Sequence, residues 1–113
     1  MRNKDQFSKV QHMWVFAMFD LPTETKEQRK EYTHFRKALL ADGFCMLQFS
    51  VYARFCESRA HGETFQRHIE NILPPDGQVR VLMVTDKQFG MMANFIGHHS
   101  KLSEEPPNQL LLF

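Results

Sequence analysis

Cysteine is scarce in this chain: there are two, Cys45 and Cys56. Both fall in one extended run on opposite parities, so no disulfide joins them within it. Neither belongs to a C-x-x-C, and no His/Cys cluster has the spacing of a zinc site. Two unpaired thiols suit a reducing compartment, and the expectation is a cytoplasmic protein. Long apolar runs are missing too: none approaches the ~20 residues of a membrane-spanning helix. Residues 1–11 are polar and lack the apolar segment of a signal peptide. No glycine-rich loop offers itself to a ligand. The net charge is only +1, so overall basicity does not argue for nucleic acid. The distribution is less even. Residues 1–56 hold nine Lys/Arg against six Asp/Glu, and residues 57–113 hold five against seven. A polyanion partner for the first half is compatible with that bias, and so is an ordinary solvated surface.

What is present suits one domain with a real core, at 113 residues and 42% hydrophobic. The chain is organised around Trp14-Val15-Phe16-Ala17-Met18-Phe19-Asp20-Leu21-Pro22. A short apolar run of this kind reads as a buried strand, here over 13–19. Both parities are apolar, so both faces need covering. Pro22 disfavours continuation, which puts Asp20 where a central strand leaves its sheet.

A helix follows. Thr25 and Gln28 fit a capping box, and Gly43 fits the residue just past the helix end. Tyr32, Phe35 and Leu39 form an apolar stripe, with Lys26, Arg29, Lys30, Arg36 and Lys37 largely off it. Residues 44–56 alternate: Leu47, Phe49, Val51, Ala53 and Phe55 on one parity, Gln48, Ser50, Tyr52 and Arg54 on the other. Thirteen residues is long for one strand, so a turn near 48–50 is expected to split it. Residues 57–62 read as a loop and 63–73 as a helix, ended by Pro74-Pro75 and the Asp76-Gly77 turn. A strand over 79–85 and a short helix over 86–96 complete the body, although Gly90 inside that helix weakens its pattern. Domain boundaries follow: a polar lead-in over 1–12, a folded unit over 13–97, a linker over 98–108, and an apolar edge strand over 109–113.

The order strand, helix, strand, strand, helix, strand predicts an α+β fold, the ferredoxin-like βαββαβ sandwich with an extra C-terminal edge strand. Two helices cover one sheet face only. Beyond the short helix and the tail, little remains for the other face. A sheet-to-sheet homodimer is the expected solution.

Phe19-Asp20-Leu21-Pro22, Gly43-Phe44, Gln48-Phe49-Ser50-Val51-Tyr52, Leu73-Pro74 and Val79-Arg80-Val81-Leu82 together resemble the CRISPR-associated protein two family. This is the small subunit of the spacer-acquisition complex, and the likeness runs to about Gly97. The N-terminal extension, the Asp-Leu-Pro form and the Leu-Leu-Leu-Phe end resemble the branch that accompanies single-protein RNA-guided nucleases. The resemblance implies a ferredoxin-like homodimer flanked by two dimers of the integrase, CRISPR-associated protein one. The assembly inserts a protospacer duplex into the repeat array. It also implies metal-dependent endoribonuclease or double-strand deoxyribonuclease activity, with Asp20 as the Mg²⁺ ligand and catalytic acid. Where many relatives carry arginines after that Asp, this chain has Lys26, Arg29 and Lys30. Those three, with Arg54, are the candidate nucleic-acid contacts. Leu110, Leu111, Leu112 and Phe113 are the candidate partner-binding tail.

Asp20 alone is a poor Mg²⁺ site, and the residues leave two roles open. It can share a cation with its copy across a dimer axis, or it can organise the turn before the helix. The helix basics have two readings as well. They can meet phosphates, or they can pair with Glu24, Glu27 and Glu31 at helical spacing. His98-His99 diverge and lack a third ligand, so they read as linker residues. Phe49 and Tyr52 lie on opposite parities and lack the aromatic signature of an RNA-binding sheet.

Overall fold

The structure, a computed structural model, describes residues 11–100. The tail 109–113, with its four candidate partner-binding residues, lies outside the described residues. So do residues 1–10 of the lead-in and 101–108 of the linker.

Four strands and three helices alternate: β1 (Met13–Asp20), α1 (Lys26–Ala41), β2 (Cys45–Gln48), β3 (Val51–Cys56), α2 (Arg59–Asn71), β4 (Gln78–Thr85) and α3 (Asp86–Gly90). The sheet is antiparallel in the order β2-β3-β1-β4, the ferredoxin-like arrangement. β1 is central. It pairs Met13 with Cys56 and Met18 with Val51 on one side, and Met13 with Thr85 and Asp20 with Gln78 on the other.

α1 begins and ends on local signals. Thr25 Oγ1 accepts the Gln28 N–H, and Gln28 Oε1 accepts the Thr25 N–H, each at 3.0 Å. At the other end Gly43 takes φ +90°, which lets Gly43 N–H reach Leu40 O and Phe44 N–H reach Leu39 O. The extended run does split at Phe49-Ser50, where Ser50 takes φ +62°.

Two elements depart from the sequence reading. α2 starts four residues early, at Arg59, inside the expected loop. Ser58 caps it by accepting the His61 N–H at 3.1 Å, and His61 Nδ1 accepts the Glu57 N–H. Histidine here takes the part usually played by Glu or Gln. Gly62 then fits in the helix because a Cβ there would come 2.8 Å from Met83 Sδ and 3.2 Å from Val15 Cγ2. α3 is the opposite case. It stops at Gly90 rather than running to residue 96, and Met92 and Ile96 are exposed. A five-residue helix with glycine at its end has little to propagate on.

The core has two layers. Under α1 and α2, the odd residues Met13, Val15, Ala17 and Phe19 of β1 pack with Phe35, Leu39, Tyr52, Phe65 and Ile69. On the other face Trp14 and Phe16 pack with Ala53 and Phe89. Trp14 stacks on Phe89 with ring centroids 4.0 Å apart. So α3 covers one end of the second face from within the chain. The rest of that face is left half-covered. Met18, Leu47, Val51 and Val84 are half-buried, and Leu82 is 50% exposed.

Candidate functional site

Asp20 is the last residue of β1 and is exposed. Its even number places it on the open sheet face, with Trp14, Phe16 and Met18. Three chain segments meet around it. The Phe19 N–H donates to Ser50 O at 3.0 Å, which brings the β2–β3 turn alongside. Gln78 of β4 pairs with Asp20 itself. Gly77, at φ +98°, lies so close that a Cβ would sit 2.8 Å from Asp20 O and 2.7 Å from Leu21 Cδ2.

The turn between Asp20 and α1 is organised without Asp20. Gln28 Oε1 accepts from the Glu24 and Thr25 N–H groups, and Arg29 Nη1 donates to Thr23 O and Glu24 O. Among the described residues the Asp20 carboxylate has no hydrogen bond and no ion pair. The turn-organising role is therefore excluded, and the carboxylate stands free.

Does Mg²⁺ fit there? It takes near-octahedral oxygen coordination and is often held by one or two carboxylates, with water and phosphate filling the rest. One subunit supplies one carboxylate. Among the described residues no group of three His, Cys, Asp or Glu is placed to hold a metal. The residues fit a cation only as a shared site to which a second subunit brings its own Asp20.

Lys26, Arg29 and Lys30 come together on the outer side of α1. With Thr33, His34 and Lys37 they line one shallow groove, and Glu31 is its single acid. None of these basic groups forms an ion pair among the described residues, so the expected neutralisation by Glu24, Glu27 and Glu31 is absent. Arg29 is partly spent on the Thr23 and Glu24 carbonyls; Lys26 and Lys30 are free. His34 and Lys37 were missed as members, although positions 26, 30, 33, 34 and 37 share one helix face.

Arg54 lies elsewhere. Register pairs it with Val15 on the helix-covered face. Its Nε donates to Asp42 O at 2.8 Å and its Nη1 to Phe55 O at 2.7 Å, and its guanidinium carbon sits 3.9 Å over the Phe65 ring. The more polar parity of β3 thus faces the helices, and the greasy parity faces outward. Arg54 serves the fold, a correction to its grouping with the helix basics.

The two thiols are separate from the Asp20 end. Burial pushes both Cys45 and Cys56 above the ordinary thiol value, and nearby Arg54 pulls Cys56 partly back. Both are free, with Cys45 half-buried and Cys56 buried.

Comparison with known proteins decides the family. The family described as "CRISPR associated protein Cas2" matches residues 13–92, which is every strand and helix described above. This chain belongs to the Cas2 family. A Cas2 of Flavobacterium psychrophilum is 46% identical over 108 residues, covering 96% of this chain and 94% of that protein. A second, from Parvibaculum lavamentivorans, is 46% identical over 101 residues, covering 89% of this chain and all of that protein. A third, from Paracidovorax avenae, is 46% identical over 101 residues. All three are named "CRISPR-associated endoribonuclease Cas2". A solved structure titled "Crystal structure of cas2" superposes with a TM-score of 0.51 at 21% identity. It covers 84% of this chain and 93% of its own, and supports the fold alone. Among the described residues no helix is long and apolar enough to cross a membrane.

Proposed function

We propose that this Cas2-family chain is a cytoplasmic, homodimeric DNA-binding scaffold of CRISPR adaptation. In this reading one dimer of the chain bridges two integrase dimers, of CRISPR-associated protein one, in a heterohexamer that holds protospacer and repeat DNA. One observation carries it: two unlike surfaces lie on opposite sides of the subunit. The open sheet face is apolar and half-covered, which suits a second copy. The outer groove of α1 is basic and unneutralised, which suits phosphates without reading sequence.

The scaffold reading is tested by separating the surfaces. Leu82→Asp is expected to give a folded monomer by sedimentation. Joint charge reversal at Lys26, Arg29 and Lys30 is expected to keep the dimer and abolish both duplex binding and spacer acquisition in cells. Asp20→Ala is expected to leave acquisition intact. A folded Asp20→Ala dimer that no longer supports acquisition overturns the scaffold reading.

A second reading, a Mg²⁺-dependent endonuclease acting on RNA or duplex DNA through Asp20, is favoured by the free Asp20 carboxylate and by the relatives' names. In a shared site the two carboxylates would hold the cation, and the bound ion would supply charge stabilisation and an activated water. Highly purified protein should cleave with Mg²⁺, and Asp20→Asn should abolish it. Cleavage that survives Asp20→Asn removes the reading.

A further inference from the structure

Phe49 is a large apolar side chain where none is needed for folding. It occupies the tip of the β2–β3 turn, is 84% exposed, and has no ring contact among the described residues. Its location is what matters. The Phe19 N–H to Ser50 O bond fixes the turn beside the last residues of β1. Phe49 therefore stands at the sheet end that carries Asp20. Arg80 stands there too. It is exposed and pairs with Met18, so it shares the open face with Asp20, one alternation further along β4. Its guanidinium has no ion pair or hydrogen bond among the described residues. A free ring, a free guanidinium and a free carboxylate thus meet at one edge.

We propose that Phe49 and Arg80 seat an unpaired nucleotide of a single strand at the Asp20 end. The Phe49 ring takes the face of a base, and the Arg80 guanidinium takes the phosphate next to it. A base in a duplex is stacked on both faces and offers nothing to Phe49; an unpaired base does. A forked guanidinium suits a phosphate's paired oxygens better than an ammonium would. The arrangement selects single strands over duplexes without selecting sequence. It deepens the nuclease reading and rests on Asp20 marking the end where nucleic acid is met. Both residues act as positioning groups, distinct from the α1 groove.

The test uses fluorescence anisotropy on the full chain, with Asp20→Asn as host so that no probe is cut. The probes are a labelled oligouridine, its DNA counterpart and a blunt duplex, alone and with an abasic position. Phe49→Ala is expected to weaken single-strand binding roughly ten- to a hundredfold and to leave the duplex unchanged. Phe49→Trp is expected to restore it, and Phe49→Leu, equally apolar, is not. Arg80→Gln is expected to flatten the salt dependence by about one phosphate contact, with Arg80→Lys restoring the slope but not the full affinity. Equal responses of RNA and DNA place recognition at base and phosphate; a preference for RNA adds the 2′-hydroxyl to it. Single-strand binding by Phe49→Ala equal to its host overturns the proposal alone. So does a loss of self-association in its place, which makes Phe49 a subunit contact. A host that holds no single strand overturns the proposal together with the Asp20-end reading, and leaves the α1 charge-reversal test of the scaffold standing.

Discussion

The indole Nε1 of Trp14 donates to Asp86 Oδ1 at 2.7 Å, across 72 residues of sequence. The bond joins the second residue of β1 to the first of α3, and Phe89 then stacks on the same indole. This pair of contacts is how a five-residue helix too short to stand alone becomes a lid. Phe89→Ala removes the stacked ring and is expected to cost about 3 kcal/mol. Trp14 is the single tryptophan of the chain, so its fluorescence reports the change directly. The emission of the folded variant should shift to the red. Asp86→Asn keeps an acceptor oxygen for the indole and should cost much less.

Arg54 yields a prediction that separates fold from binding. It ties the end of α1 to β3 through Asp42 O and lies over Phe65 of α2, so one side chain spans three elements. Arg54→Leu leaves a buried carbonyl without its charged donor and a ring without its cation. The expected loss is about 2–3 kcal/mol in urea unfolding. Duplex affinity of the folded fraction should stay at the wild-type value in anisotropy. Lys26→Glu should do the reverse, with affinity lost and stability nearly unchanged.

These two residues show what the sequence makes legible. Local signals were readable. Thr25 and Gln28 announced α1, Gly43 ended it, and Pro22 placed Asp20 at a strand end. The order of elements then gave the ferredoxin-like sandwich. Signals that depend on pairing were not readable. Alternation in residues 44–56 separates two faces but does not say which one the helices cover, and Arg54 was misplaced for that reason. Phe49 and Arg80 are 31 positions apart and become neighbours of Asp20 only through the register of β3 and β4 on β1. The early start of α2 was hidden because His61 is an unusual capping partner and Gly62 looks like a breaker. Its missing Cβ is what lets Met83 and Val15 approach.

The thiols set a limit on the alkaline side. Burial raises both above the ordinary 9.0, because the thiolate is the form that burial disfavours. Cys45 Sγ donates to Ala53 O and Cys56 Sγ to Arg54 O, bonds that need the proton. A folded value above the unfolded one stabilises fully below the unfolded value, near pH 8.5, and is lost as pH rises through the folded value. The melting temperature should therefore fall on raising pH above about 9. Cys45→Ser with Cys56→Ala should flatten that decline. At pH 8 native thiols should react more slowly with a bimane reagent than those of the urea-unfolded chain.

Two glycines offer matched tests of how the Asp20 end is held. Gly77 takes φ +98°, and a Cβ there would press on Asp20 O and Leu21. Gly77→Ala must absorb a left-handed conformation, about 1–2 kcal/mol, and must also push the strand end aside. Gly90 lies within α3 with nothing inside 4 Å of a built Cβ. Gly90→Ala is therefore expected to stabilise by about 0.5–1 kcal/mol through helix propensity alone. Thermal unfolding checks both signs. The site adds a second measure, because only Gly77→Ala displaces Asp20. It should depress any Asp20-dependent cleavage by more than its stability loss explains, at a temperature where both variants remain folded. Equal activity in the two variants would mean that Asp20 tolerates movement of its strand end and that the carboxylate's position is not set by Gly77.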